Sequence, residues 1–212
     1  MNKNNLFCLI DLSYFVFYRY YALQNWFKLA HKKELMEFKE KNPDEFYPFF
    51  ENKEFLEKYE KLFIETILKL KKKFIKEGYE ICDSNFILAR DCPRKNIWRM
   101  KLFPEYKTNR DEKYKTENPA LFQIFSYTYK TIIPKLKNNM NIETLFVDTA
   151  EADDIVAITS KILCKSGSNV YIIASDTDYL QLIDNGNITI MDLKNRIINK
   201  KTLGNSKMDL LV

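Results

Sequence analysis

The stretch TLFVDTAEADDIVAITSKILCKSGSNVYIIASD, residues 144–176, decides how this chain is read. TLFVD (144–148) is a short apolar run of strand type. Asp148 with Glu151 three residues on predicts a capping box that launches a helix. Ile155, Ile158 and Ile162 are expected to share one face of that helix, and Gly167 stops it. NVYIIAS (169–175) is then a second strand. A strand, a helix and another strand in succession predict a parallel pair with the helix on one face.

The pattern continues outward. LFCLID (6–11), NFILARD (85–91) and NITIMD (187–192) are further candidate strands. Helices are expected over 13–38, over 54–77 with Gly78 as the stop, and from Pro119 to about 139, where Pro134 should kink or break the last turns. DYLQLI (178–183) is a short helix, and the two prolines of 41–54 make that stretch a loop. The fold class is α/β, a mostly parallel central sheet covered by helices on both faces.

The composition narrows the function classes. The chain has 212 residues, 46% hydrophobic and 15% aromatic, enough for a packed core. No apolar run approaches the roughly 18–20 residues of a membrane span, and the start carries no signal peptide, so an intracellular protein is expected. Cys8, Cys82, Cys92 and Cys164 form no CxxC pair and are expected to be reduced. His31 is the only histidine, which excludes a two-histidine zinc site and is expected to be incidental to any chemistry. The net charge of +5 resides in residues 94–115, where eight Lys/Arg face three acids; the rest balances. Such a concentrated basic segment is the electrostatic footprint of a partner for an anionic polymer, most often nucleic acid.

The acids are distributed differently. In parallel sheets ligands bind beyond the carboxyl ends of the strands. Four strands end in or next to an aspartate: Asp11, Asp91, Asp148 and Asp176. Asp148 is set aside as an ordinary strand-end charge. Asp11, Asp91, Glu151, Asp153, Asp154, Asp176 and Asp178 are expected to converge at one sheet edge. Without counter-charge such a cluster is destabilising, and hard divalent cations, Mg²⁺ or Mn²⁺, would relieve it. A pair of such ions suits phosphodiester hydrolysis.

The motifs LIDLS, ARD, FPEYKTNRDEKY, AEADD and SDTDYLQL occur in the order found in the 5′ nuclease (flap endonuclease) family, and the chain resembles it over nearly its whole length. The PEYK stretch is particularly similar to phage enzymes. The resemblance implies a single PIN-like catalytic domain over 1–212, with a flexible basic arch at about 93–118. It implies a divalent-metal-dependent 5′→3′ exonuclease or flap endonuclease acting on DNA with a 5′ end, flap or branch, with no membrane partner. Asp11, Asp91, Glu151 and Asp153 would hold a first metal, with Asp154 beside them. Asp176 and Asp178 would hold a second. Lys107 and Arg110 match basic arch residues, with Lys107 near the scissile phosphate. Trp98 and Tyr106 would either stack on bases or pack the arch itself, and Arg19, Arg94, Lys95, Arg99 and Lys113 complete the expected DNA-binding set.

Three features depart from the family pattern. Leu12 stands where Gly is usual, and Tyr18 stands at the position of a usual Arg, with Arg19 one residue later. The sequence also stops about where a helix–turn–helix-like element completing the second metal site should begin, so that site is expected to be incomplete. The competing readings are a PIN-type ribonuclease, against which the long basic excursion argues, and a non-catalytic DNA-binding module. A haloacid-dehalogenase-type phosphatase lacks its second Asp two residues after Asp11.

Overall fold

The computed structural model describes residues 5–107, 120–185 and 187–199. Their strands form one six-stranded sheet: β1 (Leu6–Asp11), β2 (Phe86–Arg90), β3 (Glu143–Phe146), β4 (Asn169–Ile173), β5 (Ile188–Met191) and β6 (Ile197–Ile198). The order is β3-β2-β1-β4-β5-β6. The first five strands are parallel, and β6 returns antiparallel to β5. The sequence reading did not include β6, which is only two residues long and has no room for a periodic signal.

β1 lies between β2 and β4, with Asp11 paired to Ala89 and Ile10 to Ile173. The chain first builds outward from β1 to β2 and β3, then crosses to β4 and β5. This reversal is a topological switch point, where parallel sheets open a crevice at their carboxyl ends. Asp11 and Asp91 therefore end neighbouring strands beside that crevice.

The described chain forms two compact units. One comprises the chain up to Phe15, Leu70–Tyr106, and the chain from Lys135 onward; it contains the sheet. Its core on one sheet face joins Leu9, Ala89, Val170, Ile172 and Ile190 to the helix Ala152–Lys165. On the other face Phe74 packs on Tyr171 with ring centroids 4.7 Å apart. The residues of β4 alternate between these two faces, as a strand covered on both sides must.

The other unit comprises Val16–Lys69 and Lys107–Pro134. It holds most of α1 (Leu12–Ala30), all of α2 (Lys32–Lys41) and the first part of α3 (Lys53–Lys76). The single helix expected over 13–38 is thus two helices that meet at His31. The His31 ring stacks on Phe27, 4.2 Å between centroids, and its nitrogens face Glu34 at 3.1 Å and Glu54 at 3.4 Å. Phe27 in turn contacts Tyr47, Phe49 and Phe55, so an aromatic cluster holds this joint.

Pro134 does not break its helix. The chain runs from α5 (Ala120–Tyr127) through a π turn (Thr128–Ile132) into α6 (Ile133–Met140). A wide turn just before a proline absorbs the residue that cannot donate a helical hydrogen bond. Thr128 in that turn bonds Ile124 O at 2.8 Å and meets the buried Tyr59 hydroxyl at 2.9 Å. Pro119, the expected first residue of this helix, lies outside the described residues.

In the sheet unit, residues 94–102 of the basic segment form a 3-10 turn (Arg94–Asn96) and the short helix α4 (Trp98–Leu102). The helix expected after β3 is α7 (Ala152–Lys165), capped by Glu151 and not by Asp148, which is exposed. The Glu151 N–H donates to Asp154 Oδ2 at 3.2 Å, so the reciprocal pair sits three residues later than expected. The buried face of α7 is also shifted. Ala152, Ile155, Val156 and Ser160 face the core, while Ile158 and Ile162 are 63% and 61% exposed. The turn expected as a helix over 178–183 is a 3-10 helix, Thr177–Asn185. Among the described residues no helix is long and apolar enough to cross a membrane.

Candidate active site

Each strand-end carboxylate in the crevice is held by named donors. Asp11 closes β1; its Oδ1 accepts the Tyr14 N–H at 3.0 Å and its Oδ2 accepts the Tyr179 hydroxyl at 3.0 Å. Asp91 follows β2; its Oδ1 accepts the Ala152 N–H at 2.7 Å, at the first turn of α7, and its Oδ2 accepts the Ser13 hydroxyl at 2.5 Å. The helix end carries partial positive charge, so an anion is favoured there.

The loops around Asp91 and Glu151 are knitted by backbone bonds. Cys92 N–H donates to Ala150 O at 3.1 Å, and Trp98 N–H to Thr149 O at 2.9 Å. These two bonds seat the basic segment beside the acidic turn, although more than fifty residues separate them in sequence. Glu151, Asp153 and Asp154 offer oxygens all within 4.8 Å of one another.

Facing those oxygens is Arg99. Its Nη1 and Nη2 take both oxygens of Asp154 at 2.8 Å each, and Nη1 also reaches Glu151 Oε2 at 3.0 Å. The Trp98 indole N–H donates to Asp154 Oδ2 at 3.1 Å, and the Tyr106 hydroxyl to Glu151 Oε2 at 3.0 Å. The Arg99 guanidinium lies over the Trp98 ring at 4.7 Å.

The electrostatics record a shortage of cations. Burial pushes the Asp11 carboxyl up to about 6, with the Asp91 and Asp153 charges adding to the effect against the hydrogen bonds from Tyr14 and Tyr179. Asp153 is raised as well, first by burial and then by Glu151 and Asp154. Asp154 goes the other way. Burial would raise it, but the Arg99 fork and the Trp98 indole together hold it below its ordinary value. The guanidinium that holds Asp154 down reaches Asp153 only at 3.9 Å, and that carboxyl stays raised.

The sequence-derived candidates divide accordingly. Asp11, Asp91, Glu151, Asp153 and Asp154 come together, and so do Trp98, Arg99 and Tyr106, whose polar atoms face carboxylates. Asp176 and Asp178 are exposed in the turn after β4, with the Asp178 N–H bonded to Asp176 Oδ1 at 3.0 Å; neither belongs to the close acidic group. Arg94 donates to the Tyr106 carbonyl at 3.3 Å, and Lys95 is exposed. Lys107 has a left-handed backbone, φ 55°, and belongs to the other unit, as does Arg19, whose guanidinium lies 4.7 Å from the Tyr18 ring centroid. Arg110 and Lys113 lie outside the described residues. Ser13 and Tyr179 were not singled out from sequence. Both sit inside quoted motifs, LIDLS and SDTDYLQL, at two residues and one residue from an aspartate, and that proximity was their only signal.

Solved structures share this architecture. The 5′-exonuclease of phage T5 with bound divalent zinc superposes with a TM-score of 0.58 at 22% identity, over 92% of this chain and 58% of that one. The T5 flap endonuclease in a pseudo-enzyme–product complex with DNA and metal ions gives 0.58 at 21% identity, over the same shares of 92% and 58%. At this identity the likeness is one of fold. A 5′-3′ exonuclease of Buchnera aphidicola (subsp. Acyrthosiphon pisum) is 36% identical over 112 residues, 53% of this chain and 35% of the relative. The matched region thus spans little more than half, or less, of each of these proteins. The family model described as the N-terminal, resolvase-like domain of 5′-3′ exonucleases matches residues 6–208, which include every element of the sheet and the whole acidic edge, and the chain belongs to that family.

Proposed function

We propose that this chain is the catalytic domain of a divalent-metal-dependent, structure-specific 5′ nuclease that hydrolyses DNA phosphodiester bonds. The observation that carries the reading is the convergence of Asp11, Asp91, Glu151 and Asp153 at the switch point of the sheet, with Asp11 and Asp153 both raised by burial and by neighbouring acids. Half-buried, closely spaced oxygen ligands fit a hard divalent cation, Mg²⁺ or Mn²⁺, better than a soft one. Asp176 and Asp178, on the turn after the adjoining strand, are the candidates for a second ion. The names of the relatives, a 5′-3′ exonuclease and a flap endonuclease complexed with DNA, support this choice of substrate class and polarity.

Such ions, when bound, supply a nucleophile at neutral pH and charge stabilisation at the phosphate. The chain's own part is to hold the ligands. Tyr14 N–H and the Tyr179 hydroxyl fix Asp11, while Ala152 N–H and the Ser13 hydroxyl fix Asp91. Fixed carboxylates need not reorganise when charge develops, which is the source of electrostatic catalysis. Exposed Lys95 is set to bind phosphate in the segment 93–118, which we assign as the DNA-receiving arch of a single catalytic domain over 1–212. Lys107 and Arg110 are assigned as its catalytic cations.

The test is cleavage of 5′-flap DNA beside single-stranded RNA of equal length, with Mn²⁺ and then with EDTA. Flap cleavage that EDTA abolishes is expected. Cleavage of RNA in preference would make the chain a PIN-type ribonuclease, and DNA binding without cleavage would make it a binding module.

A further inference from the structure

Arg99 Nη1 lies where three carboxylates meet. It is 2.8 Å from Asp154 Oδ2, 3.0 Å from Glu151 Oε2 and 3.9 Å from Asp153 Oδ1. These are the same three residues whose oxygens lie within 4.8 Å of one another, close enough to share one ion. The guanidinium and a divalent cation therefore draw on one set of acids. A cation at hydrogen-bond distance from those acids repels a second cation that approaches them. Its own hold is strong, because the fork of Nη1 and Nη2 takes both Asp154 oxygens at 2.8 Å.

The segment that carries Arg99 does not need the guanidinium for its own seat. The helix α4 has no buried residue. Its start is pinned by buried Ile97 and by the Trp98 N–H, which donates to Thr149 O at 2.9 Å. The Arg99 side chain is 28% exposed, so it has solvent to turn into while the helix stays in place.

We propose that Arg99 is a tethered counter-charge that competes with the divalent ion for Glu151 and Asp154 and yields these oxygens when the ion is taken up. The inference rests on the metal-dependent reading above and deepens it. Arg99 neutralises part of the acidic turn and so supports the fold without an ion. For the same reason it lowers the affinity of the turn for one, and it is the residue that sets how much ion the site requires.

The sign of one substitution decides the matter. Mg²⁺ binding is measured by calorimetry on the 212-residue chain, and each variant is melted in EDTA and in saturating Mg²⁺. Arg99→Met removes the charge and keeps a long, flexible side chain. It should bind Mg²⁺ about fivefold or more tightly than the parent, the ordinary scale of coupling between two ligands. It should melt several degrees lower in EDTA, where the acids have lost their partner, and close to the parent in saturating Mg²⁺. Weaker Mg²⁺ binding would overturn the proposal, since Arg99 would then support the loaded site. An equal loss of melting temperature in both conditions would overturn it too, since Arg99 would then serve only the fold.

A measurement on the parent chain covers the case of a variant that folds poorly. Guanidinium protons held in a fork to a carboxylate exchange slowly with water and give their own NMR signal, which Arg99→Lys assigns by its loss. Saturating Mg²⁺ should abolish that signal. A signal that persists at saturation would overturn the proposal and leave the metal reading intact. A parent chain that takes up no Mg²⁺, with neither heat nor a change in melting, would overturn the metal reading and this inference together.

Discussion

Asp11 and Asp192 stand at the same edge of the sheet, one at the end of β1 and the other just after β5, and their surroundings are opposite. Asp192 is buried against donors from its own hairpin. Its oxygens accept Lys194 N–H at 2.8 Å, Arg196 N–H at 2.9 Å and Arg196 Nε at 2.6 Å. Asn195 takes the left-handed conformation, φ 62°, that lets the chain turn back into β6. Asp11 also has two donors, but it shares its space with Asp91 and Asp153, and its carboxyl is pushed up to about 6. The two strand-end aspartates thus differ in whether donors outnumber acidic neighbours, and the proposed site draws on the one where they do not. Sequence position alone treats the two alike.

The largest expected effect tests that division directly. Asp11→Asn should lower metal-dependent flap cleavage on the order of 10²-fold or more, because loss of a ligand removes several kcal/mol of charge stabilisation. The same variant should melt higher than the parent in EDTA, since a raised carboxyl is a source of strain when ionised. Asp192→Ala should leave cleavage per folded molecule unchanged. Loss of cleavage in both variants would erase the comparison.

The second test is the pH dependence of stability without metal, by urea unfolding between pH 4 and 7. The folded pKa of Asp11, about 6, lies above its ordinary value of 3.8, first through burial and then through Asp91 and Asp153, with the Tyr14 and Tyr179 bonds opposing. Between those values the native state keeps a proton that the unfolded chain has lost, so the contribution is fully present below the unfolded pKa and is lost as pH rises through the folded one. The loss is about 3 kcal/mol at most. Asp11→Asn should flatten this slope, and saturating Mn²⁺ should reverse it by favouring the ionised form. An Asp11→Asn slope equal to that of the parent in EDTA would contradict the charge frustration assigned to Asp11.

Third in size is Asp192→Ala, which removes charge-assisted bonds from a buried carboxylate and strands the hairpin N–H groups. The expected cost is about 2 kcal/mol in unfolding free energy. A cost of that size with metal affinity intact keeps Asp192 on the structural side.

The contrast also explains how much of the molecule could be read from the chain. Strands such as LFCLID and NVYIIAS were legible because a parallel strand buried on both faces is a nearly unbroken apolar run. Asp11 and Asp91 were legible because strand ends in such a sheet share an edge. The cap of α7 was misplaced because Asp148 and Glu151 have the right spacing, while the actual cap depends on Asp154 folding back onto Glu151 N–H. The face of α7 was misassigned because three isoleucines outweighed Ala152 in the pattern, although a small residue is what permits close approach to the sheet. Arg99 enters the expected DNA-binding set because it lies in a basic segment, and its contacts with the acidic turn have no signal there. Its partners Glu151 and Asp154 are 52 and 55 residues away, and no local rule connects them.

The smallest effect probes the hydroxyl that distinguishes Asp11 most finely. Tyr179 is buried and donates to Asp11 Oδ2 at 3.0 Å; its own phenol is pushed up, by burial first and then by the Asp11 charge, so it remains a donor throughout the accessible pH range. Tyr179→Phe keeps the ring that packs in the core and deletes only the donor. Asp11 then loses one of the two bonds that favour its ionised form and keeps the burial and the acidic neighbours that oppose it. Its titration should move upward by the worth of one such bond, about 1 kcal/mol, a displacement of less than one pH unit. The carboxyl carbon signal of Asp11, followed by NMR against pH in EDTA, reads this directly. The pH window of falling stability should extend upward by the same amount. The Asp192 hairpin meets this network through Leu193 N–H, which donates to the Tyr14 hydroxyl at 3.1 Å, so adding Asp192→Ala to Tyr179→Phe reads whether the two effects add. An unmoved Asp11 titration would mean that the hydroxyl only packs, and Asp11 would then owe its position to the Tyr14 N–H alone.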